Sequence, residues 1–230
     1  MNILLIGPPG TGKGTQTRRM CEHYGWTRIA SGELLRAAAA AGTPAGVEAK
    51  AYLDAGRLAP DALIERLVLE RMAQPDCCTG VVLDGFPRTV AQATALDAAL
   101  ALRGHSVNLA LLLQVDGAVL TQRLAGRLTC RACAATYHPE LNPPQEVGTC
   151  DRCGGDLYVR DDDRADIVQA RHAVYEQETE PLLAYYSRDG RLQREDGVGS
   201  IDDVWKRVQR VIDGASRSGP AGAEQGRGAN

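Results

Sequence analysis

The sequence predicts an α/β fold in which a parallel sheet is covered by helices on both faces. Short apolar runs alternate along the chain with helical patterns of ten or more residues, which is typical of a parallel sheet with helical connections. A glycine-rich segment, Gly7–Thr15, directly follows the first of these runs. The chain has 230 residues, of which 44% are hydrophobic, so it suffices for one domain with a sizeable insertion or for two small domains.

The apolar runs and the helical patterns give the order of the elements. The predicted strands are Asn2–Ile6, Trp26–Ala30, Val81–Asp84, Leu109–Val115 and Arg191–Glu195. Apolar residues at helical spacing follow the glycine-rich segment, so a helix begins there. Further helices are predicted over Ala62–Met72 with Asp61 as N-cap, over Val90–Leu102 with Thr89 as N-cap, and from Ser200, where Asp203 completes a capping box.

Two segments interrupt the alternation of strands and helices. Ser31–Leu58 is rich in alanine and helical in pattern, without a strand, whereas Leu128–Asp163 is loop-like and holds four cysteines. We expect both to be insertions on one core domain, and the tail to be disordered because it lacks periodicity and bulky apolar residues. The expected division is a core of residues 1–30, 60–126 and 165–213, insertions at 31–59 and 127–164, and a disordered tail at 214–230.

Composition excludes several classes of protein. The formal net charge is −3, which disfavours a general nucleic-acid coat or a basic protein of membrane surfaces. No apolar run approaches the roughly 18 residues that a membrane span needs. The first residues form too short an apolar stretch for a signal peptide and lack its basic flank. We therefore expect a cytoplasmic protein that binds neither membranes nor nucleic acid.

The glycine-rich segment has the spacing of a phosphate-binding loop. Gly7 begins the pattern G-x4-G-K, which ends at Gly12 and Lys13 between a predicted strand and a predicted helix. Glycines let the backbone wrap around a phosphate, and the lysine supplies a charge to its outer oxygens. A glycine- and proline-rich turn with a surface lysine is the alternative. The residue after the lysine is Gly14 rather than the usual Ser or Thr, and Thr15 follows it.

With that departure, the segment reads GPPGTGKGT and resembles the nucleoside monophosphate kinases, particularly the adenylate kinase family. The resemblance continues through Ser31-Gly-Glu-Leu-Leu-Arg36, Asp84-Gly-Phe-Pro-Arg88-Thr, Gln92, Gly126-Arg127, Arg160-Asp-Asp-Asp163 and Arg171. It spans about the first 213 residues and implies a P-loop core. The implied activity is reversible transfer of the terminal phosphoryl group from MgATP to AMP, giving two ADP, by a monomer with a mobile lid.

The resemblance also implies which residues bind ATP. The phosphate loop binds its phosphates, and the segment with the cysteines is the lid over it. The implied ATP-binding residues are Gly10, Thr11, Gly12, Lys13, Gly14, Thr15, Arg127, Thr136, Tyr137 and Gly199.

The residues that the resemblance assigns to AMP lie in the first insertion, around the DGFPR segment and among the arginines. They are Ser31, Arg36, Arg57, Leu58, Ala59, Gly85, Phe86, Pro87, Arg88, Gln92, Arg160 and Arg171. Two of them have structural alternatives. Gln92 fits a capping box with Thr89, in which it would merely satisfy the N-cap amide, and Ser31 could be a helix N-cap.

A set of charged residues is expected to carry the chemistry. DGFPR follows a predicted strand, so it lies where ligands of α/β sheets bind. There Asp84 could hold magnesium through water and Arg88 could bind a phosphate, although a tight turn with a surface ion pair is the alternative. Phosphoryl transfer gathers negative charges and needs positioning and electrostatic stabilisation rather than a general base. The residues expected to be catalytic are Lys13, Asp84, Arg88, Arg123, Arg160 and Arg171.

Four cysteines have the spacing of a zinc ribbon. They are Cys130, Cys133, Cys150 and Cys153, in the pattern Cys-x2-Cys-x16-Cys-x2-Cys. Four thiolates fill a tetrahedron and leave no open position for a substrate, so we expect a structural Zn²⁺. Two disulfides or free thiols are the alternatives. The resemblance is to the bacterial adenylate kinases that carry such a site in a long lid.

Two rival functions remain open at this point. The first is a kinase for another nucleoside monophosphate, such as UMP or CMP, against which the long zinc-type lid and Gln92 argue. The second is a nucleic-acid-binding zinc ribbon with an ATPase loop. Between Arg127 and Arg164 five basic residues stand against seven acidic ones, which is poorly suited to neutralising phosphates along a duplex.

Overall fold

The centre of the fold is a five-stranded parallel sheet, seen in a computed structural model that describes residues 1–217, the side chain of Ala45 excepted. Its strand order is β2-β3-β1-β4-β8, and all its neighbouring strands pair in parallel. The sheet strands are β1 (Asn2–Ile6), β2 (Thr27–Ala30), β3 (Val81–Asp84), β4 (Leu109–Gln114) and β8 (Leu192–Asp196). The predicted strands are thereby confirmed to within one residue at each end.

Helices connect these strands. Within residues 1–217 the α-helices are α1 (Lys13–Tyr24), α2 (Ser31–Ala40), α3 (Pro44–Asp54), α4 (Asp61–Met72), α5 (Val90–Ala101), α6 (Gly117–Ala125), α7 (Ala165–Val174), α8 (Pro181–Ser187) and α9 (Ile201–Arg217). Short 3₁₀ turns occur at Pro75–Cys77 and Asp161–Asp163, and a π-helical turn, Tyr175–Thr179, joins α7 to α8. None of the helices in this part of the chain is both long and apolar enough to cross a membrane.

Both faces of the sheet are buried, as the predicted fold class requires. Successive side chains of a strand point to opposite faces. In β1, Ile3 and Leu5 pack with residues of α1 and α9, whereas Leu4 and Ile6 pack with residues of α2, α4, α5 and α8. Helices on both faces explain why the central strands are continuously apolar instead of alternating with polar residues.

The two insertions fold differently. Residues 31–59 form α2 and α3, as the helical pattern predicts. In the second insertion, 127–164, the structure corrects the expectation of a loop, because β5 (Leu128–Cys130) pairs antiparallel with β6 (Thr136–Tyr137) and with β7 (Leu157–Tyr158). Strands of two or three residues are too short to show a period of two in the sequence.

Three predicted helix boundaries shift. Asp61 is the first residue of α4 and Pro60 is its N-cap, while Ala30 rather than Ser31 is the N-cap of α2. The prediction that disorder begins at residue 214 is wrong for residues 214–217, because α9 continues to Arg217. Ala215, in that last turn, packs against the hydrophobic cluster between the sheet and α9. The rest of the expected tail, residues 218–230, lies outside the described residues.

Candidate active site

A cavity of about 630 Å³ opens at the carboxyl edge of the parallel sheet. The loops after β1 and β3 line it, together with residues of both insertions. Parallel strands place all their carboxyl ends at one edge, where ligands of α/β proteins bind. The phosphate loop and the DGFPR segment, which lie about seventy residues apart in sequence, therefore face one space.

The phosphate loop curls around the amine of Lys13. Lys13 Nζ donates to the carbonyl oxygens of Gly7 at 2.6 Å and Pro8 at 2.8 Å. Gly12 is the N-cap of α1 with φ 92° and ψ 12°, a left-handed conformation that glycine adopts without the strain that other residues incur. The expected order of strand, loop and helix is therefore present, and Gly14 and Thr15, in the first turn of α1, line the cavity.

The environment of Lys13 favours its neutral form. Burial lowers the pKa of its amine from 10.5 to about 7, although the nearby Asp84 carboxylate opposes the shift. The guanidinium groups of Arg88 and Arg171 contribute to the same lowering of the pKa. An anionic ligand in the cavity would favour the charged amine, because an opposite charge nearby stabilises it.

Asp84, at the end of β3, is held by a residue that sequence reasoning missed. Arg28 in β2 donates to Asp84 Oδ2 at 2.8 Å and to both carboxylate oxygens of Glu33 at 2.8 Å. Burial alone would raise the pKa of Asp84, but Arg28 and Lys13 outweigh it and hold that pKa below its usual value. The sequence signal that could have identified Arg28 was a basic residue within a short strand, at a position facing the DGFPR segment.

The predicted arginines converge on the cavity. All of the set named from the sequence line it: Arg88, Arg123, Arg127, Arg160 and Arg171. Arg123 also donates to the backbone oxygen of Gly197 at 3.0 Å, and Arg88 donates through Nε to the backbone oxygen of Gly85 at 2.8 Å. The prediction that these five residues act in one place is consistent with this arrangement.

Two carboxylates at the end of the second insertion, just before α7, pair with three of these arginines. Arg127 Nε donates to Asp163 Oδ2 at 2.7 Å, and Arg160 Nε donates to Asp162 Oδ1 at 2.7 Å. Arg171 reaches both carboxylates, with Nη1 3.3 Å from Asp162 Oδ2 and 3.2 Å from Asp163 Oδ1, and it also donates to the Asp162 backbone oxygen at 2.8 Å. Burial would raise the pKa of Asp162, but the arginines hold it at about 2.

The residues expected to bind AMP divide between two neighbouring cavities. Arg36 and Pro87 line the large cavity alone, and Ser31, Ala59 and Gln92 line a smaller one of about 30 Å³ beside it. Several others line both: Arg57, Leu58, Gly85 and Arg88. The side chain of Phe86 lies in the hydrophobic core and lines neither of the two.

Ser31 and Gln92 have partners that decide between their alternatives. Ser31 Oγ donates to the backbone oxygen of Gly85 at 2.6 Å, so it ties α2 to the DGFPR segment instead of capping a helix. The hydroxyl of Thr89 caps α5 by accepting from the Gln92 backbone amide at 3.1 Å. Gln92 Oε1 accepts from the backbone amide of Arg88 at 2.7 Å rather than that of Thr89, so the capping box is incomplete.

The expected ATP contacts in the second insertion face the phosphate loop. Thr136 and Tyr137 line the large cavity, and Thr136 Oγ1 lies 3.4 Å from Thr15 Oγ1. Gly199 also lines this cavity, near the start of α9. The second insertion therefore covers the loop in this structure.

Gln16 is a further cavity residue that sequence reasoning missed. Its Nε2 donates to the Ile201 backbone oxygen at 3.1 Å, while its buried Oε1 has no hydrogen-bond partner among the described residues. A buried acceptor without a partner is costly, and Gln16 lines the cavity. A signal was its place one turn after Gly12 in α1, on the helix end that faces the loop.

The four cysteines come together at one end of the small antiparallel sheet. Their Sγ atoms all lie within 4.8 Å of one another, and two of these contacts, Cys130–Cys153 and Cys133–Cys150, measure 3.5 and 3.6 Å. A tetrahedral zinc with Zn–S bonds of about 2.3 Å places its sulfurs roughly 3.8 Å apart. The thiols are free rather than disulfide-bonded, and their donor set and spacing fit a closed zinc site.

Comparison with known proteins gives a consistent result. The family model described as "Adenylate kinase" matches residues 5–191. The chain is 48% identical to the adenylate kinase of Syntrophobacter fumaroxidans, over 92% of this chain and 100% of that protein. It is 47% identical to that of Thermodesulfovibrio yellowstonii and 46% identical to that of Archaeoglobus fulgidus, over 93% of this chain and 99% and 98% of theirs.

Proposed function

This chain belongs to the adenylate kinase family, and from that membership we propose how its residues divide the work of the reaction. It is a phosphotransferase that transfers the terminal phosphoryl group of ATP to AMP and so forms two ADP. The observation that supports the assignment of residues is one cavity in which the phosphate loop, the DGFPR segment and five arginines meet.

On the ATP side, the phosphate loop binds the phosphates through the backbone amides of residues 10–15. Lys13 becomes charged as the phosphates approach and stabilises the negative charge on the transferred group. Thr15 and Asp84 line the cavity and offer the oxygen donors that Mg²⁺ prefers. The ion, when bound with ATP, supplies positive charge to the phosphate oxygens.

The transfer itself needs no general base from the protein. The nucleophile is an oxygen of the AMP phosphate, which is already anionic near neutral pH. Arg88, Arg160 and Arg171 line the cavity, so they bring the two sets of phosphates together and stabilise the charge that they share. Arg123 and Arg127 complete the positive surface around ATP.

The AMP base lies against the wall of the smaller cavity, between the first insertion and the DGFPR segment, and that cavity, of about 30 Å³, widens to take it. Arg36 and the residues Arg57–Ala59 hold the nucleotide from the side of the first insertion, and the segment Gly85–Arg88 holds it from the sheet. Gln92 contacts the adenine. Its location on the wall of the small cavity supports this role.

The second insertion, residues 127–164, is the lid over ATP, and Thr136 and Tyr137 reach the nucleotide from it. Its cysteine cluster binds one structural Zn²⁺, a proposal supported by the sulfur spacing. Residues 31–59 are the AMP-binding insertion on the core. We further propose that the protein acts as a monomer in the cytoplasm and does not bind nucleic acid.

A coupled assay of ADP formation tests the choice of acceptor. ATP is supplied with AMP, GMP, CMP or UMP in turn, and we expect AMP to be the preferred acceptor by a wide margin. A preference for UMP or CMP would contradict the assignment of the small cavity and favour another nucleoside monophosphate kinase.

A further inference from the structure

A half-buried carboxylate, that of Asp61, contacts the side chain of Gln92. Asp61, the first residue of α4, accepts a hydrogen bond from Gln92 Nε2 at 2.6 Å through Oδ1. Its other oxygen, Oδ2, accepts from the hydroxyl of Thr89 at 3.2 Å. Gln92 is 2% exposed, so its side-chain amide is shielded from bulk water, whereas Asp61 is half-buried.

The partners of Gln92 fix the orientation of its amide. An ionised carboxylate can only accept hydrogen bonds, and a backbone N–H can only donate one. Asp61 therefore requires the NH₂ group of Gln92, and the backbone amide of Arg88 requires its oxygen, at 2.6 and 2.7 Å respectively. Turning the amide by 180° would set donor against donor and acceptor against acceptor, and buried polar groups without partners are costly.

The Gln92 amide retains one unused N–H donor and one unused lone pair on its oxygen. A side-chain amide has two N–H donors and an oxygen with two lone pairs, and the contacts with Asp61 and Arg88 use one of each. Gln92 borders the small cavity, so a base that lies against this wall can meet the remaining donor and acceptor. On its Watson–Crick edge adenine offers an N6–H donor and an N1 acceptor, whereas hypoxanthine and guanine offer an O6 acceptor and an N1–H donor.

We propose that Asp61 is a positioning residue that fixes the Gln92 amide in the orientation that selects adenine over 6-oxopurines in the acceptor nucleotide. The inference rests on the proposed function, in which Gln92 contacts the AMP base. An amide that can turn serves either base, because the two purine edges are the reverse of each other. Asp61 thus acts on specificity through Gln92 and does not itself touch the nucleotide.

The test compares two acceptors in one sample. The ratio of kcat/KM for AMP to that for IMP is measured in the wild-type protein and in Asp61→Ala, with ATP saturating. We expect the ratio to fall about tenfold or more, because sites built on hydrogen-bond patterns discriminate strongly when those bonds are fixed. The loss should appear as a higher KM for AMP rather than a lower kcat. A variant that is partly unfolded lowers both activities equally, so the ratio does not depend on the folded fraction.

Two further variants separate positioning from stability. Thr89→Val removes the cap of α5 and the hydroxyl bound to Asp61 but leaves the bond from Asp61 to Gln92. It should lower the melting temperature without changing the ratio. Asp61→Asn keeps one acceptor oxygen for Gln92 Nε2 and should keep the ratio within about threefold of the wild type, because a neutral acceptor still fixes the amide.

The outcomes distinguish this inference from the function on which it rests. A ratio in Asp61→Ala within twofold of the wild type, together with a collapsed ratio in Gln92→Ala, would overturn the positioning role alone. If Gln92→Ala also kept the wild-type ratio, the contact between Gln92 and the base would be wrong, and the positioning role with it. A ratio lost in Asp61→Ala and in Thr89→Val alike would also overturn the inference, because a general loss of structure would then explain both.

Discussion

Lys13 is the single residue whose charge state should report the arrival of a nucleotide. In the free protein the pKa of its amine is lowered by burial to about 7, so at pH 8 the amine is mostly neutral. The phosphates of ATP raise that pKa again, because they stabilise the cation. We expect uptake of about one proton per ATP bound at pH 8 and much less at pH 6, where the amine is already protonated.

Calorimetry with a non-hydrolysable ATP analogue, in buffers of different ionisation enthalpy, measures this uptake. Lys13→Met serves as the control, since it should abolish the uptake at pH 8 and reduce turnover by about 10²–10³-fold while leaving the melting temperature little changed. Equal proton uptake in the two proteins would assign the titration to another group.

At the scale of single residues, the sequence predicted the residues that face a ligand better than the residues that position these side chains. Lys13 and the arginines could be found because motifs group them at fixed spacing. Arg28, Asp61 and Asp162 were missed, because each acts on a partner brought close by folding and its neighbours in sequence do not indicate which partner that is. Arg28 meets Asp84 across two strands, and Asp61 meets Gln92 across two helices, 31 residues along the chain.

Among the elements, the contact between α2 and α3 depends on one small residue. A Cβ atom at Gly46 would lie 1.9 Å from the backbone oxygen of Ala38, which cannot yield as a side chain can. Gly46→Ala should therefore force the two helices apart and lower the free energy of unfolding by about 1–3 kcal/mol. Because α2 carries Arg36, the KM for AMP should rise more than the KM for ATP.

Thermal melting and steady-state kinetics check both effects. Val47→Ala is a matched control at the next position, since Val47 is 64% exposed and its loss should change neither quantity. A Gly46→Ala protein with wild-type stability would show that α2 and α3 can separate freely.

The last turn of α9 offers a second test at this scale. Ala215 packs against the core in that turn, and Tyr24 is bonded to Asp213 just before it at 2.7 Å. A chain that ends at residue 213 should melt about 2–4 °C lower than one that ends at 217, the shift that about 1 kcal/mol gives a protein of this size. Ending the chain at 217 should itself change little, because residues 218–230 contain no bulky apolar side chain.

The elements that sequence reasoning found are those long enough to show a period. Strands of four to six residues and helices of seven or more carry a repeated apolar pattern, so β1 was predicted with the bounds that it has and α4 to within one residue. The strands β6 and β7 have two residues each and were not predicted. Ser31 shows the remaining limit, because its hydroxyl could cap a helix or bind Gly85, and only the packed structure decides.

For the molecule as a whole, the cysteine cluster should separate stability from chemistry. Apart from the cluster, the small sheet of the second insertion has little apolar material of its own to stabilise it. We expect about one Zn²⁺ per chain and a lower melting temperature after chelation or in Cys130→Ser, because a structural metal contributes directly to folding. Activity should persist at low temperature, since the phosphate loop and the DGFPR segment lie on the central sheet.

Metal analysis of freshly purified, reduced protein and thermal melting are the measurements. Cys78→Ser, a change at an exposed cysteine outside the cluster, should keep both the zinc content and the melting temperature. Protein without zinc would contradict the proposed metal site. Loss of all activity with the second insertion still folded would contradict its purely structural role.

The carboxylates of Asp162 and Asp163 also bear on how the products depart. In the free protein they act as counter-ions that belong to the chain, so Arg127, Arg160 and Arg171 are already neutralised in large part. If these arginines bind the nucleotide as proposed, its arrival exchanges one set of anionic oxygens for another, and its net gain in binding energy is smaller than the number of arginines suggests. A departing ADP would return the three arginines to the two carboxylates, which Arg171 shares with Arg127 and Arg160. Dissociation of ADP therefore does not leave several guanidinium groups unpaired, and its off-rate is not slowed by that cost. This suits a reversible reaction whose products nearly match its substrates in charge.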